Sequence, residues 1–389
     1  MPRTPHLSAR LQGFGTTIFA EMSQRAAAVD AVNLGQGFPD EDGPAEVLEA
    51  AVAAIRSGRN QYPPGPGAPE LLQAVAGHQD RFWGLQVDPD CEVLVTAGAT
   101  EALAAAMLGL LDVGDEVVVF QPMYDSYAAC IAMAGAVARP VTLRAPTFGF
   151  EAAELRAAIT DRTRMIVLNT PHNPSGTMIV GDQLQLVADL AIAHDLVVVS
   201  DEVYEHLTFD GHRHVPIATL PGMAQRTLTV SSGGKTFRTT GWKVGWVTGP
   251  EALVRAVRTA KQFLTFVSSG PFQPAIALGL SLPDSYFHGV ARDLSEKRDH
   301  LVEGLRGLGL QVTSPSATYF VTVDIRPLAP DGDGLAFCRA LPERCGVAAV
   351  PAVAFYDPTH ADEGRHLVRF AFCKRHEVLD EAITRLAKL

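Results

Sequence analysis

The stretch that decides the fold runs from Met165-Ile166-Val167-Leu168 through Asp182-Gln183-Leu184-Gln185-Leu186-Val187-Ala188-Asp189-Leu190-Ala191-Ile192-Ala193-His194 to Leu196-Val197-Val198-Val199-Ser200-Asp201. Its two ends are short and continuously apolar, whereas a half-exposed strand alternates; such runs suit strands covered on both faces. Between them Leu184, Val187, Ala188 and Ala191 recur at helical spacing. Asp182 followed by Gln185 reads as a capping box at the start of that helix. Strand, helix, strand at this spacing is a βαβ unit, which requires a parallel sheet.

Working outward, Val93 to Val95 and Val117 to Phe120 repeat the buried-strand signature and Leu228-Thr229-Val230 reads as a further strand, so the middle of the chain is an α/β domain with a doubly wound sheet. On the N-terminal side, residues 1–44 form an arm with one helix, about Thr16 to Ala28. Tyr62-Pro63-Pro64-Gly65-Pro66-Gly67-Ala68-Pro69 is too rich in proline and glycine to be helical and reads as a rigid loop. A long helical pattern begins near Asp284, and the residues beyond it mix short strands and helices. The expected division is a large domain over 45–283, with 1–44 and 284–389 making the arm and a smaller α+β domain.

Composition narrows the function. With 32 Lys and Arg against 43 Asp and Glu, the formal charge is −11, which opposes a nucleic-acid role in the absence of a basic run. The most apolar segment, Ala128 to Ala138, is too short for a bilayer, so no membrane role is expected. Five scattered cysteines without a C-x-x-C pair suit reduced thiols, and the expected location is the cytoplasm. The twelve histidines contain no H-E-x-x-H; His212 and His214 read as a solvated turn, and no metal site is expected.

Ligands of open parallel sheets sit beyond the carboxyl ends of the strands, so the residues following each strand matter most. Gly98-Ala99-Thr100-Glu101 is a small-residue turn opening a helix, which either cradles a phosphate on free amides or merely permits tight packing. Further strands deliver Gln121-Pro122-Met123-Tyr124, Asn169 to Pro174, Asp201-Glu202-Val203-Tyr204 and Ser231-Ser232-Gly233-Gly234-Lys235. Gly234-Lys235-Thr236 mimics the end of a nucleotide-binding P-loop, but the first glycine of that motif would fall on Thr229. What remains is either a surface lysine or an amine presented on a glycine-rich turn, able to attack a carbonyl. Asp201 and Tyr204 read as a helix cap and its neighbour, or as a carboxylate and a phenol addressing the nitrogen and oxygen of a ring. Arg369, in the alternating run Leu367 to Phe372, is an edge charge or a clamp for a carboxylate.

Together these segments, with Asn33-Leu34-Gly35-Gln36-Gly37-Phe38-Pro39-Asp40 and Gly241-Trp242-Lys243-Val244-Gly245-Trp246, resemble the fold type I, class I/II aminotransferases over nearly the whole chain. The likeness is greatest to the kynurenine/glutamine branch and to actinobacterial N-succinyldiaminopimelate aminotransferases. The resemblance implies pyridoxal 5'-phosphate as cofactor and Lys235 as its Schiff-base lysine. It implies Asp201 at the pyridine nitrogen, Asn173 and Tyr204 at the ring hydroxyl, and Tyr124 stacked on the ring. Ala99, Thr100, Ser232 and Lys243 correspond to the phosphate cradle, Arg369 to the carboxylate clamp, and Gly37 to a backbone contact with substrate. Tyr62 corresponds to a residue that reaches the phosphate of a second subunit, which implies a homodimer with shared sites. Substrates would be an amino acid and a 2-oxo acid, exchanged by ping-pong transamination, with Lys235 carrying the proton.

Three departures stand out. Lys243 replaces a more usual arginine, and Gln121 and Met123 lie where they would reshape the substrate pocket beside Tyr124. Kynurenine, glutamine or methionine transamination and cysteine-conjugate C–S β-elimination are the alternatives to an N-succinyldiaminopimelate reaction. A non-enzymatic regulator would need an attached DNA-binding module, for which the N-terminal arm is too short and not basic.

Overall fold

The computed structural model describes residues 6–389; the first five residues of the expected arm lie outside the described residues. Seven strands form the central sheet: β1 (Val93–Thr96), β2 (Glu116–Gln121), β3 (Val137–Thr142), β4 (Thr163–Asn169), β5 (Val197–Asp201), β6 (Thr227–Ser232) and β7 (Gly245–Thr248), in the order β1-β7-β6-β5-β4-β2-β3. Only β7 runs against its neighbours. The deciding βαβ unit is present: β4 and β5 pair in parallel from Met165 opposite Val197 to Asn169 opposite Asp201, with the helix Gly181–Ala193 between them.

The continuous apolar runs have a direct physical cause. Val118, Phe120, Ile166, Leu168 and Val198 join one core together with Leu184, Val187, Ala188 and Ala191 of the crossover helix. Their neighbours Val117, Val119, Met165, Val167 and Val199 join a second core with Ala102, Leu103 and Ala106 of the helix Ala99–Leu110. Because successive side chains alternate between faces, a sheet packed on both sides needs apolar residues at every position. At roughly 25 cal/mol per Å2 of apolar surface removed from water, each fully buried Val or Leu adds about 1.5–3 kcal/mol.

The expected capping box does not form. The helix begins one residue earlier, with Val180 in the capping position and no side-chain cap, and Gln185 instead donates to Asp189 at 2.8 Å. Gly181, at φ 56°, makes the turn into the helix and moves its start away from Asp182.

A second, antiparallel sheet is built from β8 (Gln311–Val312), β9 (Phe320–Asp324), β10 (Val350–Pro351) and β11 (Leu367–Ala371), in the order β10-β11-β9-β8. β11 is therefore internal, and Arg369 is not an edge residue. The long helix spans Asp284–Gly307, and the arm helix spans Ile18–Ala28, with the Thr17 hydroxyl accepting the Ala20 amide N–H at 3.3 Å. Val32–Asn33 pairs in parallel with Val347–Ala348 and ties the arm to the second sheet's side of the molecule. The proline-rich segment carries no regular structure until Pro69 opens a helix to Trp83. No helix among the described residues is long and apolar enough to cross a membrane.

Candidate active site

One cavity of about 390 Å3 lies where β1, β4, β5 and β6 end. Of the residues the sequence nominates, Gly37, Ala99, Thr100, Tyr124, Asn173, Asp201, Tyr204, Ser232, Lys235, Lys243 and Arg369 all line it. Tyr62 does not; it stands 80% exposed, its ring edge-on to Phe266 at 5.4 Å.

Asp201 is the last residue of β5 and is buried. Its Oδ2 accepts the Tyr127 hydroxyl at 2.6 Å, and its Oδ1 accepts the Val203 amide at 3.4 Å. The chain after Asp201 turns instead of starting a helix, so this carboxylate is not a helix cap. Burial pushes its pKa up to about 6, with the Tyr127 donor, the Val203 amide and the Lys235 charge opposing that rise.

Lys235 sits in a one-turn helix, Gly233–Thr236, directly after β6. The glycines allow close packing: a Cβ on Gly233 would meet the Ile276 side chain at 2.7 Å, and one on Gly234 the Thr240 backbone at 3.0 Å. The amine of this half-buried residue lies 5.7 Å from the centres of both the Tyr204 and Tyr319 rings. Burial lowers its pKa to about 8, even though Cys373 and Asp201 favour its charged form.

The turn before the helix Ala99–Leu110 requires glycine at 98, whose φ is 76° and whose Cβ would stand 3.1 Å from the Lys243 amine. The first amides of a helix have no partners within it, so this terminus presents free N–H groups toward the cavity, with Lys243 alongside. Lys243 itself is left-handed, at φ 54°.

Arg369 is 1% exposed. Its Nη1 donates to Asn173 Oδ1 at 2.8 Å and its Nη2 to the Gly35 carbonyl at 2.7 Å, while Nε has no partner among the described residues. The rings of Phe320, Phe355 and Phe19 surround the guanidinium at 4.0, 5.0 and 5.2 Å from their centres. Burial lowers its pKa to about 10, so it stays charged at neutral pH. Asn173 is in turn fixed through its backbone amide, which donates to Asn169 Oδ1 at 2.9 Å. Gly37 belongs to the opposite strap: its carbonyl accepts the Tyr319 hydroxyl at 2.6 Å, and a Cβ there would collide with Phe320.

Several expectations need correction. Gln121 and Met123 do not shape the pocket. Gln121 is fully buried, donating to Thr142 at 3.0 Å and accepting the Asp357 amide at 2.8 Å, and Met123 packs into the core under β2. Both follow from β2 being an interior strand, whose end is covered before Tyr124 emerges. His214 is buried and bonded to Glu202 at 2.7 Å, so it is no solvated turn. Nearby, His78 and His206 share a 2.7 Å hydrogen bond, and Glu205 accepts Trp83 at 2.8 Å and Ser231 at 2.6 Å. His78, Glu205 and His206 bring two imidazole nitrogens and a carboxylate oxygen within 4.8 Å of one another. The bond between the imidazoles and the two donors on Glu205 account for the cluster, and burial keeps both imidazoles neutral.

Tyr127, Phe19, Gln36, Phe38 and Phe320 also line the cavity, and sequence reasoning assigns none of them a role there. Tyr127 does carry a signal, standing three residues after Tyr124 at a helix start. Phe19 carries none, because only tertiary packing brings the arm helix over Arg369.

The chain belongs to the aminotransferase class I and II family, whose model matches residues 29–386. It is thus an aminotransferase of a family that uses pyridoxal phosphate, with the fold type I architecture. A solved N-succinyldiaminopimelate aminotransferase from Mycobacterium tuberculosis is 51% identical, with 98% of this chain and 99% of that one aligned at a TM-score of 0.95. A structure from Escherichia coli described as having methionine aminotransferase function is 38% identical, covers all of both chains, and has a TM-score of 0.93. Mouse kynurenine–oxoglutarate transaminase 3 is 38% identical over 96% of this chain and 88% of that protein.

Proposed function

We propose that this aminotransferase holds pyridoxal 5'-phosphate on Lys235 and moves the amino group of N-succinyl-LL-2,6-diaminopimelate to 2-oxoglutarate by a ping-pong sequence. The observation that carries the chemistry is the pairing, in one cavity, of a lysine whose charge burial disfavours with a buried arginine that spends only two of its N–H groups on the protein among the described residues. The residues fit the cofactor: a helix N-terminus and Lys243 suit its phosphate, Asp201 its ring nitrogen, and Tyr124 its ring face. When bound, pyridoxal phosphate supplies an aldehyde that condenses with amines and a ring that spreads the charge left by a departing α-proton.

The chain's own residues supply the rest. Lys235, about half neutral near pH 8, acts as nucleophile and then as the base that carries the substrate's α-proton. Asp201 places a negative charge against a protonated ring nitrogen, which offsets the desolvation that raises its own pKa. Asn173 and Tyr204 hold the ring hydroxyl, and Ala99, Thr100, Ser232 and Lys243 hold the phosphate. Lys243 does so as a point charge, lacking the two-pronged grip of arginine. Arg369 takes the substrate's α-carboxylate with guanidinium N–H groups that its bonds to Asn173 and Gly35 leave over, and Gly37 lines the same subsite through its backbone.

A homodimer completes the reading. Tyr62, 80% exposed, stands edge-on to Phe266, and Phe263 three residues before Phe266 is 83% exposed; a second copy would cover these rings, letting Tyr62 reach the partner's phosphate. Five free thiols fit a reducing, cytoplasmic setting. The substrate assignment rests on the 51% identity to the mycobacterial enzyme. Single half-reactions of the purified enzyme with a panel of amino donors test it: N-succinyl-LL-2,6-diaminopimelate should bleach the visible band fastest. Bleaching by methionine or kynurenine but not by that donor would reassign the substrate and leave the chemistry intact.

A further inference from the structure

We infer that Tyr127 is a positioning residue for the cofactor's ring nitrogen, acting through Asp201, and that the same helix start sets both the face and the nitrogen edge of the ring. The inference rests on the proposed cofactor site. Tyr127 occupies the first turn of the helix Asp125–Ala134, with Tyr124 in the position before that helix. Its amide donates to the Tyr124 carbonyl at 3.0 Å, and the two rings meet edge to face at 5.8 Å. The two phenols are therefore held as one rigid unit, Tyr124 facing the cavity and Tyr127 bonded to Asp201 at 2.6 Å.

Three observations make this bond more than packing. Tyr127 is 3% exposed, so water cannot readily take the place of its partner. Among the described residues, Asp201 takes its only short hydrogen bond from this phenol, the Val203 amide being at 3.4 Å. Burial and the adjacent Asp201 charge hold the phenol pKa well above its ordinary value, so Tyr127 donates at every working pH. A permanent donor on one carboxylate oxygen favours the ionised form of Asp201 and fixes its plane, leaving the other oxygen for the ring nitrogen. Without it, an acid already disfavoured as an anion by burial would ionise less readily and would hold a protonated ring less well.

Tyr127→Phe removes one oxygen and keeps the ring, and the test compares two ligands on the apoenzyme: pyridoxal phosphate and its analogue with carbon in place of the ring nitrogen. Expected is a loss of affinity of about tenfold for pyridoxal phosphate and less than about twofold for the carbon analogue, since only the former uses Asp201 as a counter-charge. The variant holoenzyme should also show a shifted pH titration of its visible band. Equal losses for both ligands, or no loss for either, overturn the inference. Borohydride labelling of the wild type separates this from the parent reading: no label on Lys235 defeats the cofactor site itself, whereas a label there with unchanged Tyr127→Phe affinities defeats only the role of Tyr127.

Discussion

The cavity holds two basic side chains from two different sheets, and burial lowers the pKa of both, Lys235 from 10.5 to about 8 and Arg369 from its higher ordinary value to about 10. Only the lysine therefore comes within reach of losing its proton near neutral pH. Lys235 sits past the end of a parallel strand, on a single helical turn, half-buried and with no hydrogen-bonded counter-ion among the described residues, and its pKa falls to about 8. Arg369 sits mid-strand in the antiparallel sheet, more deeply buried, yet carbonyl and amide oxygens and three aromatic faces support it and it remains charged. The proposed nucleophile must lose its proton near neutral pH, and burial that outweighs the nearby Cys373 and Asp201 serves it. The proposed clamp must never lose its charge, and arginine's higher starting value keeps it protonated under comparable burial while its hydrogen bonds and aromatic neighbours hold it in place. The location follows: a strand end leaves an amine free to move, and a strand interior holds a guanidinium still.

The contrast can be broken from either side. Lys235→Ala removes the proposed nucleophile and base together, and turnover should drop by at least about 10^4-fold with loss of the visible band, read by absorbance and coupled assay. A variant retaining both would refute the assignment. Arg369→Lys keeps the charge but not the fork; kcat/KM for amino donors should fall roughly 100-fold while the cofactor spectrum survives, since the loss of charge-assisted bonds to the α-carboxylate costs about 1.5–3 kcal/mol. Gly245→Ala strikes the proposed phosphate end, because its Cβ would stand 2.6 Å from the Gly98 backbone and 2.7 Å from the Ala99 nitrogen. Overpacking of this kind costs about 1–3 kcal/mol of stability, measurable by denaturant titration, and should weaken cofactor binding as well. The last test sharpens the comparison. Only the neutral amine captures added pyridoxal phosphate, so the capture rate should rise with pH to a plateau with a midpoint near 8. A midpoint at the ordinary lysine value of 10.5 would mean that burial does not activate Lys235.

Much of this is legible in the sequence. The uninterrupted apolar runs signal two-sided burial, and the residues just after each run name most of the cavity wall, because a parallel sheet sends all its carboxyl ends to one edge. Gly98 and Lys235 are visible for the same reason. Gln121 and Met123 mislead because proximity to Tyr124 along the chain says nothing about which side of a strand end a residue faces. His214 misleads because a polar loop can be folded back under the sheet, where Glu202 receives it.

Sequence by itself therefore determined the sheet, the edge that carries the cavity and the amine that stands there, since periodicity and strand-end position are local properties. Tertiary structure decided what surrounds Arg369, why Asp201 is held by Tyr127, and that Phe19 from the arm closes over the guanidinium. Those contacts join residues 74 to 350 positions apart in the chain, from Tyr127 to Asp201 and from Phe19 to Arg369. No local pattern encodes such pairs; burial and charge compensation select them only once the core has closed.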